Sequence, residues 1–110
     1  MLNVKEIIEQ NKKFGGSILN KSNLEFDINQ ANKEKNIYKS NSYVVRAMTQ
    51  GHPFIDGNKR TALAIVSRRF SEKGITCNKE KLTRGMVLFA KRPSSINKIE
   101  RGLRRWCKKY

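Results

Sequence analysis

The chain is poor in carboxylates. Nine Asp and Glu stand against 24 Lys and Arg, a formal charge of +15. Such a surface repels basic partners and attracts nucleic acid, anionic membranes, phosphorylated ligands or acidic proteins. The imbalance is uneven, net +3 over residues 1–50 and net +12 over residues 51–110. Histidine is also scarce. His52 is alone, and the only cysteines, Cys77 and Cys107, lie thirty residues apart. No zinc spacing can be made from that set. With nothing to mark secretion, both cysteines are read as reduced, partly buried small apolar residues. No run reaches membrane-spanning length and no apolar leader opens the chain, so no membrane association and a cytoplasmic location are expected. There are two prolines, no repeats, no linker and no alternating run long enough for a sheet. These absences leave an all-α single compact domain over residues 1–110, of about six helices.

Apolar spacing places the helices. Val4, Ile7 and Ile8 predict a short one to Lys13, ended by Phe14-Gly15-Gly16. Ser22 with Glu25 reads as a capping box for a second, with Leu24, Ile28 and Ala31 inward. Asn32 to Lys39 reads as a surface connection. Tyr43, Val44, Ala47 and Met48 predict a helix over 40–50. The next, from Asn58 to Lys73, is apolar over much of its girth and is expected to be central, with Gly74 just past its end. Asn78 caps a fifth helix in which Gly85 marks close packing or a weak point; after Pro93, Ser94 or Ser95 caps a sixth.

The densest chemistry lies in Gly51-His52-Pro53-Phe54-Ile55-Asp56-Gly57-Asn58-Lys59-Arg60-Thr61. Asp56-Gly57 signals a turn and Asn58 is a good N-cap. Lys59 and Arg60 then fall in the first helical turn, where the helix dipole disfavours cations. An anion held between them and the free backbone N–H groups reverses that cost, so the stretch reads as a phosphate cradle. An imidazole changes charge near neutral pH, which suits His52 to take a proton from a hydroxyl. A lone carboxylate beside phosphate-binding cations suits Mg²⁺, which makes Asp56 the metal ligand. The P-loop pattern is absent. Pro53, Phe54 and Ile55 are expected to anchor the loop in the core.

The run from His52 to Ala62 resembles the signature of the Fic/Doc (Fido) family, an all-α family that moves AMP or phosphate from a nucleotide onto protein hydroxyls. The resemblance implies that His52 is the general base and Asp56 the Mg²⁺ ligand. It also implies that Gly57, Asn58, Lys59 and Arg60 form the nucleotide site, with Phe54 as the core anchor. Where the AMP-transferring pattern has glycine this chain has Lys59, and where that pattern has a second arginine it has Leu63. Both departures resemble the Doc branch, in which the γ-phosphate is transferred. A Mg²⁺- and ATP-dependent enzyme that phosphorylates a Ser or Thr hydroxyl of a target protein is therefore expected, with AMP transfer as the alternative. The family's inhibitory pattern (Ser or Thr, three residues, then Glu followed by Gly or Asn) is missing. Its absence is what a toxin held by a separate antitoxin protein would show.

Two further readings complete the set. The family holds its target on an extended flap, and Asn36-Ile37-Tyr38-Lys39 is the candidate for that role, with Ile37 and Tyr38 as the docking pair; the same stretch also reads as an ordinary loop in which Ile37 and Tyr38 cover the edge of the core. The cluster Lys98, Arg101, Arg104, Arg105, Lys108 and Lys109 supports a second alternative, a basic nucleic-acid-binding helical module. Sequence-specific recognition of nucleic acid is not expected, because no known recognition motif is present.

Overall fold

A computed structural model describes residues 1–109. Six helices and one small sheet follow in the order α1 (Val4–Lys12), α2 (Lys21–Lys33), α3 (Ile37–Thr49), α4 (Asn58–Glu72), β1 (Ile75–Cys77), α5 (Lys79–Lys91), α6 (Ile96–Trp106) and β2 (Cys107–Lys109). The all-α expectation holds, apart from that two-stranded antiparallel sheet, which pairs Ile75 with Lys109 and Cys77 with Cys107. Among the described residues no helix is long and apolar enough to cross a membrane.

The centre is α3, not α4. It packs against α2, α4, α5 and α6. Its buried set includes Ser40, Asn41, Ser42 and Thr49 as well as Val44, Val45, Ala47 and Met48. Small polar residues disguise this helix as a surface one. Each makes at least one side-chain hydrogen bond, although Asn41 Nδ2 is buried without a partner. Ser40 Oγ donates to the Ala31 carbonyl at 2.7 Å, Ser42 Oγ to Tyr38 at 2.7 Å and Thr49 Oγ1 to Val45 at 2.8 Å. Arg69 of α4 donates to Asn41 Oδ1 at 2.7 Å and to Ser40 Oγ at 3.0 Å, which fixes α4 on α3. Burial holds the Arg69 guanidinium below its ordinary pKa, against the raising effect of Glu72.

Several expectations at helix ends need correction. Asn20, not Ser22, caps α2, by accepting from the Asn23 N–H. The connection between α2 and α3 is short, and residues 37–39 are the first turn of α3, capped by Asn36 Oδ1. Asn36 satisfies the N–H groups of Tyr38 and Lys39 together, which favours helix there. The two cysteines are not separate thiols. Cross-strand register sets them side by side, and they form a disulfide that closes the sheet. Asn78 and Ser95 cap α5 and α6 as expected.

Candidate active site

The loop before α4 is held from three directions. Phe54 is buried at 2% exposure and Pro53 is buried beside it, so the loop is anchored in the core. Ile55 is not an anchor; it is 69% exposed. Asn58, expected as the N-cap, is the first residue of α4, and its side chain folds back on the loop. Its Oδ1 accepts from the Phe54 N–H at 3.1 Å and its Nδ2 donates to the Phe54 carbonyl at 2.9 Å. The N-cap is Gly57, in the left-handed region at φ 76°, with no capping side chain. That conformation favours glycine, which explains Gly57 at this position.

The uncapped end has a consequence. The first intrahelical bond runs from Thr61 N–H to the Gly57 carbonyl at 2.9 Å. The N–H groups of Asn58, Lys59 and Arg60 precede it and have no side-chain acceptor among the described residues. They open on a cleft of about 270 Å³ lined by Phe14, Asp56, Gly57, Asn58, Lys59 and Arg60. Backbone donors at a helix start, two exposed cations and one carboxylate thus share one recess, the composition of a phosphate site. A larger cavity of about 600 Å³ lies at the far end of α4, against Arg68, Arg69 and Lys73, and holds none of the motif residues.

Asp56 is exposed, and its Oδ1 accepts from the Gly57 N–H at 2.7 Å, which leaves Oδ2 free. Among the described residues no group of three His, Cys, Asp or Glu could hold a metal alone. One carboxylate beside a phosphate recess still fits Mg²⁺, which takes one or two carboxylates plus substrate phosphates and waters. His52 is exposed at the loop entrance with φ 43°, a conformation uncommon outside glycine. It does not line the cleft with the other five residues. Strain of about 1–3 kcal/mol at such a position is a recurrent feature of functional loops.

Sequence reading missed two residues. Asn11 of α1 is fully buried, and its Nδ2 donates to the Asp56 carbonyl at 2.8 Å and to Thr61 Oγ1 at 3.1 Å. It ties α1 to both ends of the Asp56–Thr61 turn. The available signal was a polar residue in step with Val4, Ile7 and Ile8 on the apolar face of the first helix. Phe14, read only as part of a helix stop, forms a wall of the cleft.

The extended segment beside the loop is not residues 36–39. Ile37 and Tyr38 lie within α3, and Tyr38 Oη donates to the Cys107 carbonyl at 2.8 Å while its ring packs on Phe70. With its backbone in a helix, that stretch offers no strand edge. Residues 17–19 do. Ile18 bridges Phe54 in antiparallel fashion through Leu19 N–H to Pro53 at 2.7 Å and Ile55 N–H to Ser17 at 3.0 Å. Both bonds use the neighbours of Ile18, so its own N–H and carbonyl point away from the loop.

A search of curated proteins finds none that matches. The sequence model of the Fic/DOC family matches residues 5–68, which takes in α1 through most of α4 and the whole loop. Its members modify proteins with nucleotidyl or phosphate groups taken from nucleotides. A match over more than half of the chain, together with the helical fold and the loop that carries the motif, places this protein in the Fic/DOC family.

Proposed function

We propose that this protein transfers the γ-phosphate of ATP to a Ser or Thr hydroxyl of a target protein, in the manner of the Doc branch, and acts as a toxin restrained by a separate antitoxin. The observation that carries the phosphate reading is Lys59. It is exposed and lines the phosphate recess together with Asp56, Asn58 and Arg60. Its side chain takes space that glycine would leave free for a nucleotide in the AMP-transferring orientation. Leu63, where that orientation calls for a second arginine, is half-buried against the core.

In this reading the backbone N–H groups of Asn58, Lys59 and Arg60 bind phosphate oxygens, and the Lys59 and Arg60 side chains stabilise charge on the transferred group. Asp56, through its free oxygen, would hold Mg²⁺, which neutralises phosphate charge when bound. His52 takes the hydroxyl proton as the hydroxyl oxygen bonds to the γ-phosphorus and the bond to the β-phosphate oxygen breaks, with ADP leaving. Asn58 keeps the Phe54–Asn58 turn closed, so its role is to shape the cradle as much as to touch phosphate. The outer edge of Ile18 supports docking of an extended target segment by strand addition. Leu19 and Ile55, exposed at 67% and 69%, give that segment apolar contacts near His52.

The test is labelled ATP incubated with cell lysate. γ-Label on protein, lost in His52→Ala by about 10²–10⁴-fold, is expected. Label transferred only from the α-position would overturn phosphate transfer in favour of AMP transfer.

A further inference from the structure

The family match ends at residue 68, yet the charge of the chain is concentrated beyond it. From Lys79 to Lys109 there are eleven Lys and Arg and two Glu. Both carboxylates are already engaged, Glu80 with Arg84 and Glu100 with Arg104. Among the described residues the other nine cations have no ion-pair partner. The catalytic reading uses none of them.

These cations flank a built groove. Between α5 and α6 runs a depression of about 210 Å³ lined by Lys81, Arg84, Gly85, Leu88 and Trp106. Trp106 is the only tryptophan in the chain and is partly buried against the core. It is held firmly. A Cβ on Gly85 or Gly102 would collide with its ring, so both glycines exist at the point of contact. Phe89 packs against it at a centroid distance of 5.9 Å, and the Trp106 carbonyl accepts from Asn78 N–H at 2.7 Å. By helical spacing Lys81, Gly85 and Leu88 share one flank of α5, and Arg92 follows as the extended residue that caps the end of that helix. Lys98 and Arg105 fall on the flank of α6 that carries Gly102 and Trp106. Leu88 is 46% exposed within this basic rim.

We infer that the α5–α6 groove binds single-stranded nucleic acid without sequence preference, with a base against Trp106 and Leu88 and the phosphate backbone along Lys81, Arg84, Arg92, Lys98 and Arg105. A fixed aromatic ring between cations is the combination that holds single strands, because every base has a face to stack and every linkage a charge to neutralise. The Arg84–Glu80 pair is largely exposed, so it is weak and exchanges readily for phosphate. A merely solvated basic face would need neither the fixed ring nor an exposed leucine in the groove. This surface lies outside the transfer chemistry, so the inference stands or falls independently of the proposed reaction.

The test uses the intact protein with a uridine-rich RNA 15-mer and its DNA counterpart, read by Trp106 emission and by anisotropy of labelled strands. Expected are quenching of Trp106 on binding and an affinity that falls steeply with salt. Lys81→Gln with Arg84→Gln is expected to weaken binding about tenfold or more and to lower the salt slope by roughly one for each lost phosphate contact. Leu88→Glu, a surface change that spares the Trp106 packing, is expected to weaken binding at least tenfold. The charge-matched control, Lys5→Gln with Lys12→Gln on the outer side of α1, should change affinity less than twofold. Equal losses in control and groove variants would overturn the inference. So would binding without quenching, tighter binding to a duplex, or equal displacement by polyglutamate or phosphatidylserine vesicles, each of which would show a non-specific attraction to polyanions.

Discussion

Asn11 offers a test of how the loop is held. Its side chain lies 45 residues before the Asp56 carbonyl and 50 before Thr61, and bonds both. Asn11→Ala removes two hydrogen bonds and leaves two acceptors without that donor, one on fully buried Thr61. Each such bond contributes about 0.5–1.5 kcal/mol net, and each stranded buried group costs about 1–3 kcal/mol. Against this, Asn11 Oδ1 is itself buried without a partner, and its removal returns some stability. A net loss of about 2–3 kcal/mol is expected, a large share of the 5–15 kcal/mol typical of a domain. Urea unfolding followed by circular dichroism reads it. The decisive comparison is Asn11→Asp. It has the same shape but no N–H to donate, and it sets a carboxylate against the Asp56 carbonyl. It should therefore be less stable than Asn11→Ala and should lose nucleotide affinity as the cleft opens. If Asn11→Asp is as stable as wild type, the donor role of Asn11 and the account of the loop built on it are wrong.

Other predictions follow from the same geometry. Lys59→Gly should lose γ-phosphate transfer and gain only slight AMP transfer, since Leu63 supplies no second arginine; retained γ-transfer in a labelled-ATP assay would remove Lys59 from the control of orientation. Asp56→Ala should abolish the Mg²⁺ dependence of ATP affinity measured by calorimetry, and a dependence that persists would reject Asp56 as the metal ligand. Ile18→Pro should lower target modification while ATP affinity holds, and parallel loss of both would mean only that the loop had been damaged. Gly85→Ala should destabilise although alanine is the better helix former by about 1 kcal/mol, because a Cβ there collides with Trp106 and overpacking costs about 1–3 kcal/mol; a raised melting temperature would contradict that packing.

The helical class, most helix spans and the position of the motif were legible in the chain alone. These rest on local causes: apolar spacing, caps such as Asn78 and Ser95, and turn residues such as Gly57. The sequence could also bring Asp56 and residues 57–60 together, because a turn and one helical turn span them. Features that depend on distant partners were fixed by packing between the helices. Asn11 gains its role from Thr61, fifty residues away. The buried Ser40 and Asn41 look like surface residues until α2 and α4 supply their partners, and Ser42 and Thr49 turn back on the carbonyls of α3 itself, so the burial of this helix between its neighbours is hidden in the sequence. Residues 36–39 could not be told from an extended flap by composition, since the Asn36 cap and the Tyr38 bond to Cys107 settle residues 37–39 as helix. Cys77 and Cys107 lie thirty residues apart along the chain, and only the cross-strand register of β1 and β2 makes them a pair.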